Sequence, residues 1–341
     1  MKAVFFERPG GLEVLRYGDF DDPIPNEGEA LVRVKAGGLN RLDIWLREDR
    51  DNIRNIPMPH IPGSDVSGTV EKIVGQAGFR IGQDVVLNPA IPCGLCPRCK
   101  KGQPCELVKI FGVKNQGGYA EYVVAPIAQL YPKPPHLSFI EAAAFPLTML
   151  TAWHMLAGRA HVQPGETVFI WGASGGLGSA AIPVARYLGA RIIAAAKSEE
   201  QARRIRELGV DETVVYTRDD VDQKVKSLTH GQGVDVVFES VGQKTWPTTL
   251  AMLRPFGRVV IAGTTTGDVG TQDLSDLYVR QLSMLGARMG TKEEFETVLR
   301  LIASGHLKPI IDRTFPLSQA AEAQRRMVDG KHIGKIVLEI P

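Results

Sequence analysis

Between residues 168 and 178 the chain reads Val-Phe-Ile-Trp-Gly-Ala-Ser-Gly-Gly-Leu-Gly, an apolar strand that breaks into a glycine turn and runs on into an apolar helix. The spacing Ala173-x-Gly175-x-x-Gly178 is the dinucleotide-binding pattern with Ala in its first position. Gly175 lets backbone approach a diphosphate, Gly178 lets helix and strand pack closely, and the helix N-terminus supplies positive potential. Ala173, Ser174, Gly175, Gly176, Leu177 and Gly178 are therefore candidate coenzyme contacts.

The surroundings strengthen this reading. Strand patterns recur at Thr167–Trp171, Arg191–Ala195, Thr213–Tyr216, Val234–Phe238, Arg258–Ile261 and Ser283–Leu285, with helices from Gly176, from Glu199 and around Trp246–Leu253. Such alternation predicts a doubly wound parallel sheet of six strands. Residues 1 to about 135 differ, with β-branched runs at Ala30–Lys35, Gly68–Val74, Asp84–Leu87 and Tyr119–Val124 between Gly/Pro punctuation, which predicts a mostly β domain. Ser138-Phe-Ile-Glu141 is a capping box that starts a long helix interrupted near Pro146. The tail is mixed: helices over Lys292–Ala303 and Leu317–Val328 and a closing strand over Lys335–Ile340.

Forty basic against 38 acidic side chains in 341 residues are too even to call for a nucleic-acid or anionic-membrane partner, so a small-molecule ligand is expected. No apolar stretch reaches the roughly 18 residues of a membrane span, and Glu7 and Arg8 interrupt any secretory leader, so a cytoplasmic protein is expected.

The glycine turn also spells Gly172-x-Ser174-x-Gly176, the nucleophile elbow of serine hydrolases, for which Asp273 and His306 or His332 are available downstream. That alternative leaves Gly178 unexplained. An acidic residue at the tip of the second strand would mark NAD, but the strand ends Ala195-Ala196-Lys197-Ser198. NADP(H) is thus favoured over NAD(H), with Lys197 and Ser198 as candidate contacts. Ser198 is equally suited to capping the next helix.

All four cysteines, Cys93, Cys96, Cys99 and Cys105, fall within 13 residues. Thiols so crowded are metal ligands sooner than disulfides, and one tetrahedral zinc is the natural occupant, with an iron–sulfur cluster or free thiols as alternatives. Four thiolates leave no open position, so the site is structural. The seven histidines cluster nowhere in the sequence.

Pro62-Gly63-x-x-x-x-Gly68, the clustered cysteines, Gly117-Gly-Tyr-Ala-Glu-Tyr122, Ala142-Ala-Ala-Phe-Pro-Leu-Thr148 and the glycine turn together resemble the medium-chain dehydrogenase/reductase superfamily, the zinc alcohol dehydrogenases and their quinone-reductase relatives. The resemblance implies a GroES-like β-rich catalytic domain of residues 1–147 and 291–341 around an inserted Rossmann domain of residues 148–290. It also implies a homodimer or homotetramer, joined through the edge strand near Ser283–Arg288.

At the three places where zinc alcohol dehydrogenases hold their catalytic zinc, the chain has Asn40, Ser64 and Leu147, which do not replace thiolate and imidazole. Leu42 and Trp45 stand where that branch has its proton relay. Asn40-x-x-Asp43 instead resembles the zinc-independent quinone and enone reductases, which usually lack the structural cysteines kept here. The resemblance makes Asn40 a hydrogen-bond donor or positioner near the nicotinamide and Asp43 its orienter. It makes Arg41 a partner of the diphosphate, Thr151 a contact of the nicotinamide face and Tyr216 a contact of the 2′-phosphate. Val241, Gly263 and Thr264, beyond the fourth and fifth strands, complete the expected coenzyme contacts. The expected reaction is hydride transfer between nicotinamide C4 and a carbonyl, enone or quinone without a catalytic zinc. Alternatives are an alcohol-oxidising enzyme with unrecognised zinc ligands and a cofactor-binding protein without catalysis.

Overall fold

Along Glu29–Gly38 every second side chain is buried, with Ala30, Val32, Val34 and Ala36 at most 1% exposed. That period of two makes the segment the middle of a sheet. In the computed structural model, which describes residues 1–50 and 56–341, it pairs antiparallel with Asp65–Val74 on one side and with Tyr122–Pro126 and Lys335–Glu339 on the other. Asp84–Leu87, Leu130–Pro132 and Ile311–Pro316 complete a seven-stranded sheet. Val32, Val34, Val66, Val70, Phe111, Tyr119, Ile336 and Leu338 belong to its core.

The chain divides into two compact units, one of Met1–Leu147, Thr291–Ala303 and Pro309–Pro341, the other of Thr148–Gly290 and Ser304–Lys308. Ser304–Lys308 differs from the expected partition. It belongs to the second unit because Leu307 is buried and the His306 ring lies edge-on to Tyr187 at 5.8 Å.

The second unit is built on a six-stranded, wholly parallel sheet. Its spatial order is Glu212–Val215, Arg191–Ala196, Thr167–Ile170, Val234–Glu239, Leu253–Ile261, Ser283–Gly286. Arg191–Ala196, Thr167–Ile170 and Val234–Glu239 are buried on both faces over most of their length, as helical layers on both sides require. The chain order reverses beside Thr167–Ile170, where doubly wound sheets bind ligands beyond their carboxyl ends.

Two local expectations are revised and one is met. The strand expected over Tyr119–Val124 forms over Tyr122–Pro126, because the Tyr119 N–H donates to Pro62 and its carbonyl accepts from Val4. The helix expected after Ser138 is interrupted at Pro146 as its sequence implies: Phe139–Ala143 is followed by Pro146–Trp153, which continues into a π-helical turn over His154–Arg159. The last helix is regular only from Ala320, after a 3-10 turn at Leu317–Gln319. Among the described residues no helix is long and apolar enough to cross a membrane.

Candidate functional site

In the first unit, pairing brings three distant segments to one end of the sheet. Gly38 faces Asp65 on one neighbouring strand and Val337 on the other, so Asn40, Asp65 and Lys335 emerge side by side. Glycine is required at 38, since a Cβ there would lie 2.2 Å from the Ala143 carbonyl oxygen. The Lys335 ammonium is 2% exposed and donates to the Leu39 carbonyl at 2.6 Å, the Asn40 Oδ1 at 2.7 Å and the Asp65 Oδ2 at 2.8 Å. The Asn40 amide nitrogen donates to Asp65 Oδ2 at 3.0 Å and, more loosely, to the Gly38 carbonyl at 3.4 Å. The other Asp65 oxygen accepts the Leu147 N–H at 2.7 Å, a donor exposed by the helix break at Pro146.

Asp43 lies beneath this group, fully buried. Its Oδ2 accepts the Asn40 N–H and the Tyr119 hydroxyl, both at 2.8 Å, while its Oδ1 has no partner. Burial pushes the carboxyl up to about 6 against the opposing pull of those hydrogen bonds. Burial, with the Asp43 charge second, raises the Tyr119 hydroxyl well above its ordinary value. Arg41, in the first turn of the helix Arg41–Arg47, is half-buried, and burial draws its guanidinium below the usual value. Among the described residues that guanidinium makes no hydrogen bond or ion pair, so it is available to an anion.

Asn40, Ser64 and Leu147 do gather around Asp65, in sequence or by hydrogen bond. The donor set does not fit a catalytic zinc. The Asn40 oxygen faces an ammonium, Leu147 offers only a backbone N–H, and the buried Ser64 hydroxyl is a weak ligand. Leu42 and Trp45 lie on the same short helix, and the Trp45 ring carries the Arg50 guanidinium at 5.3 Å.

In the second unit the strand Thr167–Ile170 is followed by Trp171 and by Gly172, which turns with φ +64°, and the helix Gly176–Tyr187 starts after Gly175. A Cβ on Gly178 would lie 2.2 Å from the Gly172 carbonyl oxygen, so only glycine permits this helix–turn approach. Among the described residues the N–H groups of the first helical turn, at residues Gly176 to Gly178, have no partner within the helix, an arrangement that suits an anion.

The next two strand tips carry the residues expected to choose between coenzymes. The Ser198 Oγ accepts the Gln201 N–H at 3.2 Å, so Ser198 is a helix cap. Lys197 is exposed, and its backbone binds Gln201 Oε1 at 2.6 Å and the Thr217 hydroxyl at 2.7 Å. The half-exposed Tyr216 ring stands edge-on to Trp171 at 6.2 Å. Arg218, beside them, binds Asp219 at 2.7 Å and also Glu199. Thr151 is buried with its hydroxyl 3.9 Å from the Met289 sulfur. Val241 is fixed by Glu239, a fully buried carboxylate that accepts the Val241 N–H at 2.6 Å, the Gly242 N–H at 3.0 Å and the Thr245 and Thr249 hydroxyls at 2.9 and 2.7 Å. Gly263 has φ +100° and leads into Thr264, whose hydroxyl binds Asp268.

The four cysteine sulfurs lie within 4.8 Å of one another, with Cys93 and Cys99 3.9 Å apart. A tetrahedral zinc with sulfur at about 2.3 Å needs sulfurs about 3.8 Å apart, so the cluster fits that ion. The N–H groups of Cys93, Cys96, Cys99 and Leu107 point at the sulfurs at 3.3–3.4 Å, as thiolates require. The Cys99 and Glu106 N–H groups bring the Cys96 thiol down to about 6, whereas burial and neighbouring thiols push Cys99 up to about 12.

The hydrolase reading of Ser174 finds no support. Asp273 caps the helix Leu274–Val279, accepting from Ser275 at 2.7 and 2.8 Å, and His306 pairs with the Ser304 hydroxyl at 2.7 Å. His332 is buried in the first unit, where burial lowers its pKa to about 4. Sequence reasoning passed over Asp65, Lys335, Tyr119, Glu239 and Arg218 as site residues. For Lys335 a signal existed: a lysine among the buried apolar positions of the closing strand.

Residues 26–135 match the family described as alcohol dehydrogenase GroES-like domain, and residues 176–304 the family described as zinc-binding dehydrogenase. A quinone oxidoreductase of Pongo abelii is 30% identical over 99% of this chain and 97% of its own length. The chain belongs to the medium-chain dehydrogenase/reductase superfamily. An NAD-dependent alcohol dehydrogenase of Sulfolobus acidocaldarius is 32% identical over the full length of both chains. A crystal structure of an NAD-dependent alcohol dehydrogenase, 41% identical, covers both chains fully with a TM-score of 0.94. This member of the superfamily is accordingly an oxidoreductase of the alcohol dehydrogenase and quinone oxidoreductase type, with a GroES-like domain and a Rossmann sheet.

Proposed function

We propose that this chain is an NADP(H)-dependent reductase of activated carbonyls, enones or quinones that works without a catalytic zinc and carries one structural zinc. The observation that supports it best is the Lys335–Asn40–Asp65 group, in which an ammonium faces the oxygen that a zinc would have to bind. A bound nicotinamide coenzyme supplies or accepts the hydride. Without a Lewis acid, charge developing on the acceptor oxygen must be met by hydrogen-bond donors, which suffices for conjugated acceptors and not for unactivated alcohols.

Asn40 is the proposed donor. Its amide is held by Lys335 and Asp65, and the N–H spent at 3.4 Å on the Gly38 carbonyl is the one it can redirect to a substrate oxygen. Asp43 keeps the helix start in place through the Asn40 N–H. Gly175, Gly176, Leu177 and Gly178, with Ala173 and Ser174 before them, present the N–H groups and the glycine surface for a diphosphate. Arg41 offers a guanidinium to the same kind of anion. Thr151, Val241, Gly263 and Thr264 are assigned to the nicotinamide half of the coenzyme. Lys197, Ser198 and Tyr216 are assigned to the 2′-phosphate, joined by Arg218. The cationic strand tip supports NADP(H), whereas the names of the NAD-dependent relatives favour NAD(H) as the second reading. Cys93, Cys96, Cys99 and Cys105 would hold zinc as a cross-link with no open position for substrate.

A homo-oligomer is part of the proposal. Ser283–Gly286 is an edge strand with Met284 exposed, and Phe256 and Tyr278 are exposed large apolar groups in the same unit. An uncovered edge is a surface that pairs.

The test is turnover of 9,10-phenanthrenequinone and of ethanol with each coenzyme, alongside zinc per chain by elemental mass spectrometry. Quinone reduction with NADPH and one zinc per chain are expected. Two zinc atoms per chain with ethanol oxidation would replace this reading by a zinc alcohol dehydrogenase. Asn40→Ala should lose turnover while NADPH binding survives, and unchanged turnover removes Asn40 from the mechanism.

A further inference from the structure

We propose that Lys335 is a positioning residue of the reaction centre: its tethered ammonium fills an all-oxygen cation site made by the Leu39 carbonyl, the Asn40 amide and the Asp65 carboxylate, and so orients Asn40 where a metal would otherwise do so. The inference rests on the hydride-transfer reading above and adds to it the group that fixes the donor.

The geometry is that of a filled cation site. An ammonium has three N–H groups, and here three oxygens, two from the segment after Glu29–Gly38 and one from the first residue of Asp65–Val74, take them at 2.6, 2.7 and 2.8 Å. No N–H is left for a substrate, so Lys335 acts through what it holds. The Asn40 amide has one possible orientation, because turning it over would set its NH2 group against the ammonium. Asp65 is spanned by the same arrangement: Oδ2 takes Lys335 and Asn40, and Oδ1 takes the Leu147 N–H. Lys335 and Asp65 are 2% and 0% exposed, so each charge depends on the other for compensation. Serine and leucine at the other two zinc positions leave nothing that competes for the cation. The lysine thus explains how a chain without those ligands keeps a single, fixed arrangement at this place.

Lys335→Ala removes a propylammonium equivalent and leaves the oxygen site with a cavity to match. Lys335→Met paired with Asp65→Asn removes both charges at nearly constant volume, so it separates orientation by the ammonium from the stability of the ion pair. Both are compared with wild type for phenanthrenequinone reduction, NADPH affinity by fluorescence quenching, and melting temperature, with and without propylammonium chloride against equal tetramethylammonium chloride. Each tenfold in turnover corresponds to about 1.4 kcal/mol of transition-state stabilisation. The expected result is at least a tenfold fall in kcat in both variants, NADPH affinity within twofold of wild type, and recovery of K335A by propylammonium alone. A double variant as fast as wild type, or no recovery of K335A by propylammonium, overturns the proposal. If wild type reduces no acceptor, it is the hydride-transfer reading that fails. The melting temperature then decides the cation site: a rise with propylammonium in K335A and not in wild type supports it, and no such rise overturns it.

Discussion

Cys99→Ser is the sharpest perturbation of the proposed structural zinc, because it removes one ligand and leaves the backbone donor to Cys96 intact. The loop it disconnects runs from Cys93 to Cys105 and is flanked by a two-residue strand pair, Ala90–Ile91 with Lys109–Ile110. Its side chains contribute little burial, with Leu95 and Leu107 at 80% and 67% exposed. With only such contacts and a few internal hydrogen bonds, such as Arg98 Nε to the Pro104 carbonyl at 2.9 Å, the proposed zinc would supply most of the cohesion of the lobe. One covalent cross-link closing a loop of this length is worth about 3 kcal/mol, and a four-armed one should match it. In a domain of this size each kcal/mol moves the melting temperature by about 2–4 °C, so the loss should be about 6–12 °C. The assay is zinc per chain and melting temperature, with trypsin cleavage at the exposed Arg98, Lys100 and Lys101 as a local probe. C99S, or wild type stripped by a strong chelator, should lose zinc, melt earlier and be cut first in this loop. A C99S chain that keeps one zinc, or a stripped chain that melts and resists trypsin like the untreated one, refutes the reasoning.

Three further outcomes follow from the geometry. Gly178→Ala puts a methyl 2.2 Å from the Gly172 oxygen, which should cost about 1–3 kcal/mol in a denaturant melt and weaken coenzyme binding with it. Burial pushes the Asp43 carboxyl up to about 6 in the folded chain, against about 3.9 for a free aspartate, so the stability it contributes is complete below about 3.9 and is lost as pH rises through about 6, a change of about 3 kcal/mol. In urea titrations Asp43→Asn should remove that part of the difference in stability between pH 4 and pH 7; an unchanged difference contradicts a buried, high-pKa carboxyl. Lys197→Ala should raise the Kd for NADPH about tenfold, the value of one charge-assisted contact, and leave NADH binding alone. Equal effects on both coenzymes would take Lys197 out of the 2′-phosphate site.

The Rossmann half was the more legible part because its signals are local. Strand and helix periods, the glycine turn and the Ser198 cap each lie within a dozen residues, and the structure has strand, turn and helix there. The thiol cluster was legible for the same reason. Less was visible where the arrangement is made by pairing between distant strands. Asn40 stood out by its place in a motif, but its partners Asp65 and Lys335 lie 25 and 295 residues away. Hydrophobic periodicity marks the segment from Lys335 as a strand, and the lysine at its buried end is a hint of a charge there without naming its partners. Glu239 escaped for a related reason: a carboxylate at a strand end reads as solvent-facing until the loop folds back and its N–H groups converge on it.

The closing strand that carries Lys335 gives the order of synthesis a consequence. Chains are made from the N-terminus and domains fold as units. Glu29–Gly38 and Asp65–Val74 are available to pair early, yet the counter-charge to Asp65 arrives some 270 residues later. Until then Asp65 has no buried ammonium to balance it, and the edge of Glu29–Gly38 that receives Lys335–Glu339 is bare. A chain cut short before this strand keeps all six strands of the parallel sheet and leaves Asn40 and Asp65 without their lysine. Completion of this end of the sheet is thus tied to completion of the chain, and a prematurely ended product carries an uncovered strand edge and a carboxylate without its ammonium.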